Sequence, residues 1–252
     1  MQIIISPAKK MNETPDILDF QGYPEFLESA DILRRYISAL SYEEAKALWK
    51  CNDKIAEQNF ERFRYMDLRK NLTPALIAYE GIQYQYMAPA VLEAEAVAYL
   101  QAHLRILSGF YGMLKPLDGV VPYRLEMQAK ASVKGCKNLY EFWGHRLADA
   151  LFSESKTIVN LASKEYSKSI SAWLTPEIQW ITCVFGERTG DKVVEKGTLA
   201  KMARGEMVRF LAERRAETPE EIKGFDRLDY RFSPEMSSED TYIFLKAEKL
   251  EG

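Results

Sequence analysis

The first apolar run, Ile3-Ile4-Ile5, predicts a short strand over Gln2–Ser6, ended by Pro7. From Pro24 to Leu40 the period becomes helical, with Phe26, Leu27, Ala30, Leu33 and Ile37 on one stripe. Ser41 followed by Glu44 three residues on is a capping-box pattern and opens a second helix; a third is expected over Asp53–Met66. Leu76–Tyr84 reads as a strand. Pro89–Leu107 reads as a helix stopped by Gly109, and Asn138–Phe152 as a helix with Leu139, Phe142, Trp143, Leu147 and Leu151 inward. Thr157–Leu161 reads as a strand running through Ala162-Ser163 into a helical Lys164–Ile170. Ile178–Glu187 and Lys192–Val194 form an expected hairpin across Gly190. Thr198 caps a helix to Arg215, and Leu228–Phe232 pairs with Thr241–Ala247 as closing strands. The order predicts an α/β chain of mixed α+β type. With no Pro/Gly/Ser linker, residues 1–252 are expected to form a single compact domain.

Hydrophobic residues make up 47% of the 252 positions, the composition of a packed globular protein. The net charge of −3 makes any anion site a local feature. Residues 196–215 carry six basic and two acidic side chains and residues 101–150 seven and four. Residues 216–252 carry five basic and ten acidic ones. Cys51, Cys136 and Cys183 are widely spaced without a CxxC pair, which excludes a thioredoxin-like motif and a disulfide framework and fits a reducing compartment. The opening apolar run is too short for a signal peptide, and no window approaches the ~20 apolar residues of a membrane span. A soluble cytoplasmic protein without membrane association, cofactor or metal site is expected.

Three segments concentrate cations. Leu107–Gly112, with glycines at 109 and 112, is flanked by Arg105, Lys115 and Arg124. It reads either as a helix-hairpin-helix-like element, with Ser108, Gly109, Tyr111 and Gly112 near a DNA phosphate, or as a helix C-cap followed by a second turn. In Thr198–Arg215, Lys201, Arg204 and Arg209 share a face with Gly205, which is explained by close approach of another backbone or of a phosphate, or is a tolerated glycine on a solvated face. Asn160–Lys168 leads from a strand end into a helix that carries Lys164 and Lys168, a recurrent ligand position, or simply a capped surface helix. Ser6-Pro7-Ala8-Lys9 follows the first strand in the same manner. His103 and His145 read as structural. Glu126 beside Arg124 and Glu165 beside Lys164 are the available acid/base groups, without a specific spacing.

Together, SPAK (Ser6–Lys9), HLRILSGFYGMLKPLD (His103–Asp118), PYRLEM (Pro122–Met127), LYEFWG (Leu139–Gly144), NLASKEYSK (Asn160–Lys168), KMARGEMVRF (Lys201–Phe210) and FDRLDYRF (Phe225–Phe232) resemble the YaaA family of bacterial peroxide-stress-resistance proteins nearly end to end. The resemblance implies a cytosolic protein that limits damage from unincorporated iron and binds DNA, double-stranded or distorted, through a helix-hairpin-helix element and a basic cleft. The cations assigned to that cleft are Lys9, Arg105, Lys115, Arg124, Lys164, Lys168, Lys201, Arg204 and Arg209. Many relatives have Phe-x-Gly-Asp-Val-Tyr where this chain has Tyr79-Glu80-Gly81-Ile82-Gln83-Tyr84, without the Asp. Two other readings stand beside DNA binding. One is an enzyme acting on a nucleotide or nucleic acid in the same cleft; the other is direct iron sequestration, which the scattered His and Cys residues disfavour.

Overall fold

The computed structural model describes residues 1–13 and 17–247. One mixed eight-stranded sheet organises them: β1 (Gln2–Ile5), β2 (Leu104–Ser108), β3 (Gly112–Leu114), β4 (Thr157–Asn160), β5 (Gln179–Thr189), β6 (Lys192–Val194), β7 (Tyr230–Phe232) and β8 (Thr241–Lys246). The spatial order is β7-β8-β5-β4-β1-β2-β3, with β6 folded back on β5. Strands β2, β1, β4, β5 and β8 are parallel neighbours, with Ile3 opposite Leu104, Ile4 opposite Asn160 and Val159 opposite Ile181; β3, β6 and β7 run antiparallel. Successive strand side chains point to opposite faces, and every residue of β1 and β2 is buried. Both faces of the sheet centre are therefore covered, as parallel strands require.

The helices used below are α1 (Leu27–Ser38), α2 (Tyr42–Trp49), α3 (Asp53–Tyr65), α4 (Ile82–Met87), α5 (Ala94–His103), α6 (Leu139–Trp143), α7 (Arg146–Glu154), α8 (Lys164–Ser171) and α9 (Gly197–Arg214). α9 packs on α4 and α5, α7 on α8, and α1 and α2 on α3. The capping box that opens α2 is complete: Ser41 Oγ accepts from the Glu44 N–H, and Glu44 Oε2 accepts from the Ser41 N–H at 2.8 Å. At the far end of the sheet Phe185, Phe244 and Phe225 pack with Tyr230, the Phe185 and Phe244 rings stacked at 5.1 Å.

Several elements differ from the sequence reading. The helix expected over Pro89–Leu107 ends at His103, and Leu104–Ser108 is the strand β2. A short apolar run buried on both sides has no period that separates strand from helix; its place between β1 and β3 decides. Leu107–Gly112 is therefore a β-hairpin joining β2 to β3, not a helix-hairpin-helix element. Leu76–Tyr84 is split among a one-turn helix at Ala75–Ala78, a two-residue strand at Tyr79–Glu80 and the start of α4. Asn138–Phe152 breaks at Gly144 into α6 and α7. α9 begins at Gly197 after Lys196, with no side-chain cap from Thr198.

After β3 the chain turns through Asp118, whose Oδ2 accepts the Lys115 N–H at 2.8 Å. Burial pushes its carboxyl up from 3.8 to about 6. Between those values the unfolded chain ionises first, so folding stability falls as pH rises through the window and stays lowered above it. Asp118→Asn keeps an acceptor for Lys115. We expect it to remove that fall and to raise stability at pH 7 by about 3 kcal/mol, read from thermal unfolding at pH 4 and pH 7.

Candidate functional site

β1 and β4 lie side by side and run the same way, so their carboxyl ends open at one edge of the sheet. The chain leaves β1 through Ser6-Pro7-Ala8-Lys9 and enters α8 from β4 through Leu161-Ala162-Ser163. Ser163 stands at the N-cap of α8, but its Oγ does not cap the helix. Instead the Ser163 N–H donates to Ser6 Oγ at 2.8 Å, and Ser6 Oγ donates to Ser163 Oγ at 3.2 Å, tying the two strand ends together. Among the described residues nothing pairs with the Lys164 or Glu165 N–H, so the positive end of α8 is left unsatisfied.

α4 and α9 close over these ends. They approach so tightly that a Cβ on Gly205 would stand 2.1 Å from the Gln83 carbonyl oxygen. The glycine in the basic helix is thus explained by a neighbouring backbone rather than by a phosphate. The result is a cavity of about 420 Å³. Its walls are Ser6, Ala8 and Lys9 after β1, Ser163, Glu165 and Tyr166 at α8, Ile82, Gln83 and Tyr84 on α4, and Lys201 and Arg204 on α9. Lys10 and Glu80, paired at 2.7 Å, complete the rim. Lys9, Lys10, Lys201 and Arg204 outnumber Glu80 and Glu165, so the lining is net positive. A second hollow of about 240 Å³ shares Lys9 and contains Trp49, Lys50, Arg124 and Glu126.

Glu126 sits between two cations, 2.9 Å from Lys9 Nζ and 2.8 Å from Arg124 Nη2. Its side chain is 16% exposed and that of Lys9 is 65% exposed, so the carboxylate is sheltered while the ammonium remains solvated. Burial pushes the Glu165 carboxyl up, opposed by the Gln128 N–H at 3.3 Å. Tyr84 donates its hydroxyl to the Ser6 carbonyl at 3.0 Å, which anchors α4 to the β1 exit. Two polar atoms at the cavity are buried without a partner among the described residues: Gln83 Nε2 and Arg204 Nε. Arg204 spends its Nη2 on Glu195 at 3.2 Å.

Of the residues singled out in the sequence, Lys9, Lys201 and Arg204 line this cavity, Lys164 is exposed on the first turn of α8, and Arg124 lines the adjoining hollow. Lys168 is exposed on the same helix, over the Tyr140 ring at 5.1 Å. Five others are buried in the hairpin. Arg105 donates to Glu154 at 2.8 Å and to the Leu104 carbonyl at 2.7 Å. Ser108 Oγ accepts the N–H groups of Phe110 and Tyr111, and Tyr111 accepts the Val121 N–H on its hydroxyl. Gly109 is pressed on the Leu125–Met127 backbone and Gly112 on Trp143. These amides and cations are occupied inside the protein and cannot face DNA. Lys115 follows β3 beside the amino end of β2, 3.9 Å from Glu154, at the opposite edge of the sheet, roughly 13 Å of strand away. Arg209 pairs with Glu213 at 2.7 Å and lines another hollow with Glu93 and Arg215. Gln83 was missed in the sequence, because one polar residue between Ile82 and Tyr84 carries no signal until α4 is placed.

A family model described as "Peroxide stress protein YaaA" matches residues 1–236. The chain belongs to the YaaA peroxide stress protein family. It is 56% identical to a UPF0246 protein of Lachnoclostridium phytofermentans over 248 residues, covering 98% of this chain and 97% of the relative. It is 56% identical to one of Agathobacter rectalis over 244 residues (97% and 98%) and 53% identical to one of Desulfitobacterium hafniense over 247 residues (98% and 98%). Membership of the YaaA family places the chain in peroxide stress. Ile82, in the Tyr79–Tyr84 segment where the sequence departs from the resemblance, lines the cavity. Burial pushes the Cys183 thiol up to about 12 and raises that of Cys51, the opposite of the thiolate that attacks peroxide. Among the described residues no three His, Cys, Asp or Glu gather where they would hold a metal, and no helix is long and apolar enough to cross a membrane.

Proposed function

We propose that this chain serves peroxide defence by binding DNA, with phosphates along the rim of the cavity at the carboxyl ends of β1 and β4, and that this binding limits damage from unincorporated iron. The observation that carries the reading is the convergence of Lys9, Lys201 and Arg204, with Lys164 beside them, from three distant segments of a chain whose net charge is −3. Lys9, Lys164 and Lys201 are exposed, and solvated lysines suit phosphate contact with counterion release better than proton transfer. Phosphates covered by ammonium groups no longer collect ferrous ions, which is the chemical link from DNA binding to iron damage.

The test is fluorescence anisotropy with a duplex and a bulged duplex across a salt series. Binding by the native chain is expected to weaken linearly in log–log form. The triple variant Lys9→Glu, Lys164→Glu, Lys201→Glu is expected to flatten that slope by about 2–3, from ~0.9 per phosphate contact. Lys115→Glu, at the other edge of the sheet, is expected to change neither slope nor affinity. A triple variant that binds DNA with native affinity and slope rejects the reading.

A further inference from the structure

The connections around β1 and β4 define where this sheet is open. From β1 the chain crosses to β2 on one side. The next parallel strand, β4, lies on the other side of β1, and β5 and β8 continue outward from it. Neighbouring strands β1 and β4 thus send their chains in opposite directions, which leaves a crevice outside their carboxyl ends, the general ligand position of open parallel sheets. The cavity lies in that crevice, and its volume of about 420 Å³ is within the range of small-molecule sites.

Its walls differ in chemistry. The lining includes the first turn of α8, whose Lys164 and Glu165 amides have no partner among the described residues, the Ser6 and Ser163 hydroxyls and the Lys9 ammonium. That set fits a phosphate dianion. The same cavity is lined by Gln83, only 8% exposed and with its amide nitrogen unpaired among the described residues, and by Tyr84 and Tyr166. A buried amide without a partner is unfavourable, and a planar group that presents an acceptor would satisfy it. We propose that the cavity is a binding site for a nucleoside monophosphate, with the phosphate at the start of α8 and the base edge on Gln83. The cations on the rim are shared with the DNA reading, but this site stands without it.

Isothermal titration of the full chain with AMP, GMP, CMP and UMP, and with inorganic phosphate, tests the proposal. At least one nucleotide is expected to bind at least tenfold more tightly than phosphate. Gln83→Leu, of similar volume, is expected to weaken that nucleotide tenfold or more while leaving the melting temperature unchanged or higher, because it removes an unpaired buried donor. Lys9→Gln is expected to weaken both nucleotide and phosphate. A duplex carrying 2-aminopurine distinguishes the source of the nucleotide: a fluorescence rise on binding that Gln83→Leu abolishes means that the cavity takes the unit from DNA. The proposal is overturned if nucleotides bind no better than phosphate and no such rise is seen, or if Gln83→Leu binds nucleotide as the native chain does. DNA binding that survives in either case leaves the proposed function standing. Nucleotide binding without DNA binding rejects the proposed function and supports the nucleotide site.

Discussion

Gly205→Ala is expected to destabilise the protein by about 3 kcal/mol or more, although alanine is the better helix former by about 1 kcal/mol. The added methyl would stand 2.1 Å from the Gln83 carbonyl oxygen, 3.0 Å from its carbon and 3.0 Å from the Met87 nitrogen. These are backbone atoms of α4, so no side chain can rotate away, and relief requires α9 and α4 to separate. Overpacking of a core commonly costs 1–3 kcal/mol; a contact this short against backbone belongs at or above the top of that range. In a chain of this size the loss corresponds to a melting temperature lower by about 6–12 °C. The same separation would pull Lys201 and Arg204 from Gln83 and widen the cavity. Gly197→Ala, at the start of the same helix with nothing within 4 Å of the new Cβ, is expected to leave the melting temperature unchanged or raise it. Equal melting temperatures for the two variants would contradict the close packing of α9 on α4.

Gly109→Ala is expected to cost about 2–3 kcal/mol, within the range for overpacking, and it separates two meanings of the hairpin. Its Cβ would lie 2.6 Å from the Leu125 carbonyl oxygen and 2.9 Å from the Glu126 carbon and Met127 nitrogen. Gly109 is also clamped from its carbonyl, which accepts the Trp143 indole N–H at 3.1 Å. The glycine thus lets the turn seat against the segment that carries Arg124 and Glu126. In a helix-hairpin-helix element facing DNA, the same substitution would weaken DNA binding and leave folding intact. The buried hairpin predicts the reverse order of effects: thermal unfolding shifts down, and any change in ligand affinity follows from displacement of Glu126. Measuring both quantities on one purified variant distinguishes the two.

The contrast between these glycines shows how much was legible in the sequence. Gly205 was recognisable as an oddity, since a glycine inside an amphipathic helix has a cost that a close approach explains. What approached was not legible, because Gln83 and Gly205 are distant in sequence and meet only when α4 docks. Gly109 and Gly112 indicate a turn, and the structure has a turn there; its flanks are strands rather than helices, which the uniformly apolar Leu104–Ser108 could not reveal. Charge alone assigns the hairpin cations Arg105 and Lys115 to the site, and the structure puts both elsewhere, on Glu154. Sequence proximity cannot show that Arg105 points to Glu154 while Lys9 reaches Glu126.

By itself the sequence determined the features that rest on short-range physics. The Ser41 capping box, the hairpin across Gly190, the strand-to-helix junction at Asn160–Lys168 and the α/β class all follow from residues within a few positions of one another. Its ordered motifs also carried the family, since they span the chain. Only the tertiary structure decided which basic segments share a cavity. That grouping depends on strand order, which sets Ser6 beside Ser163, and on the docking of α4 with α9, which sets Gln83 beside Lys201 and Arg204. Strand order and helix docking are settled by long-range burial, and a local pattern of polar and apolar residues is compatible with many such arrangements.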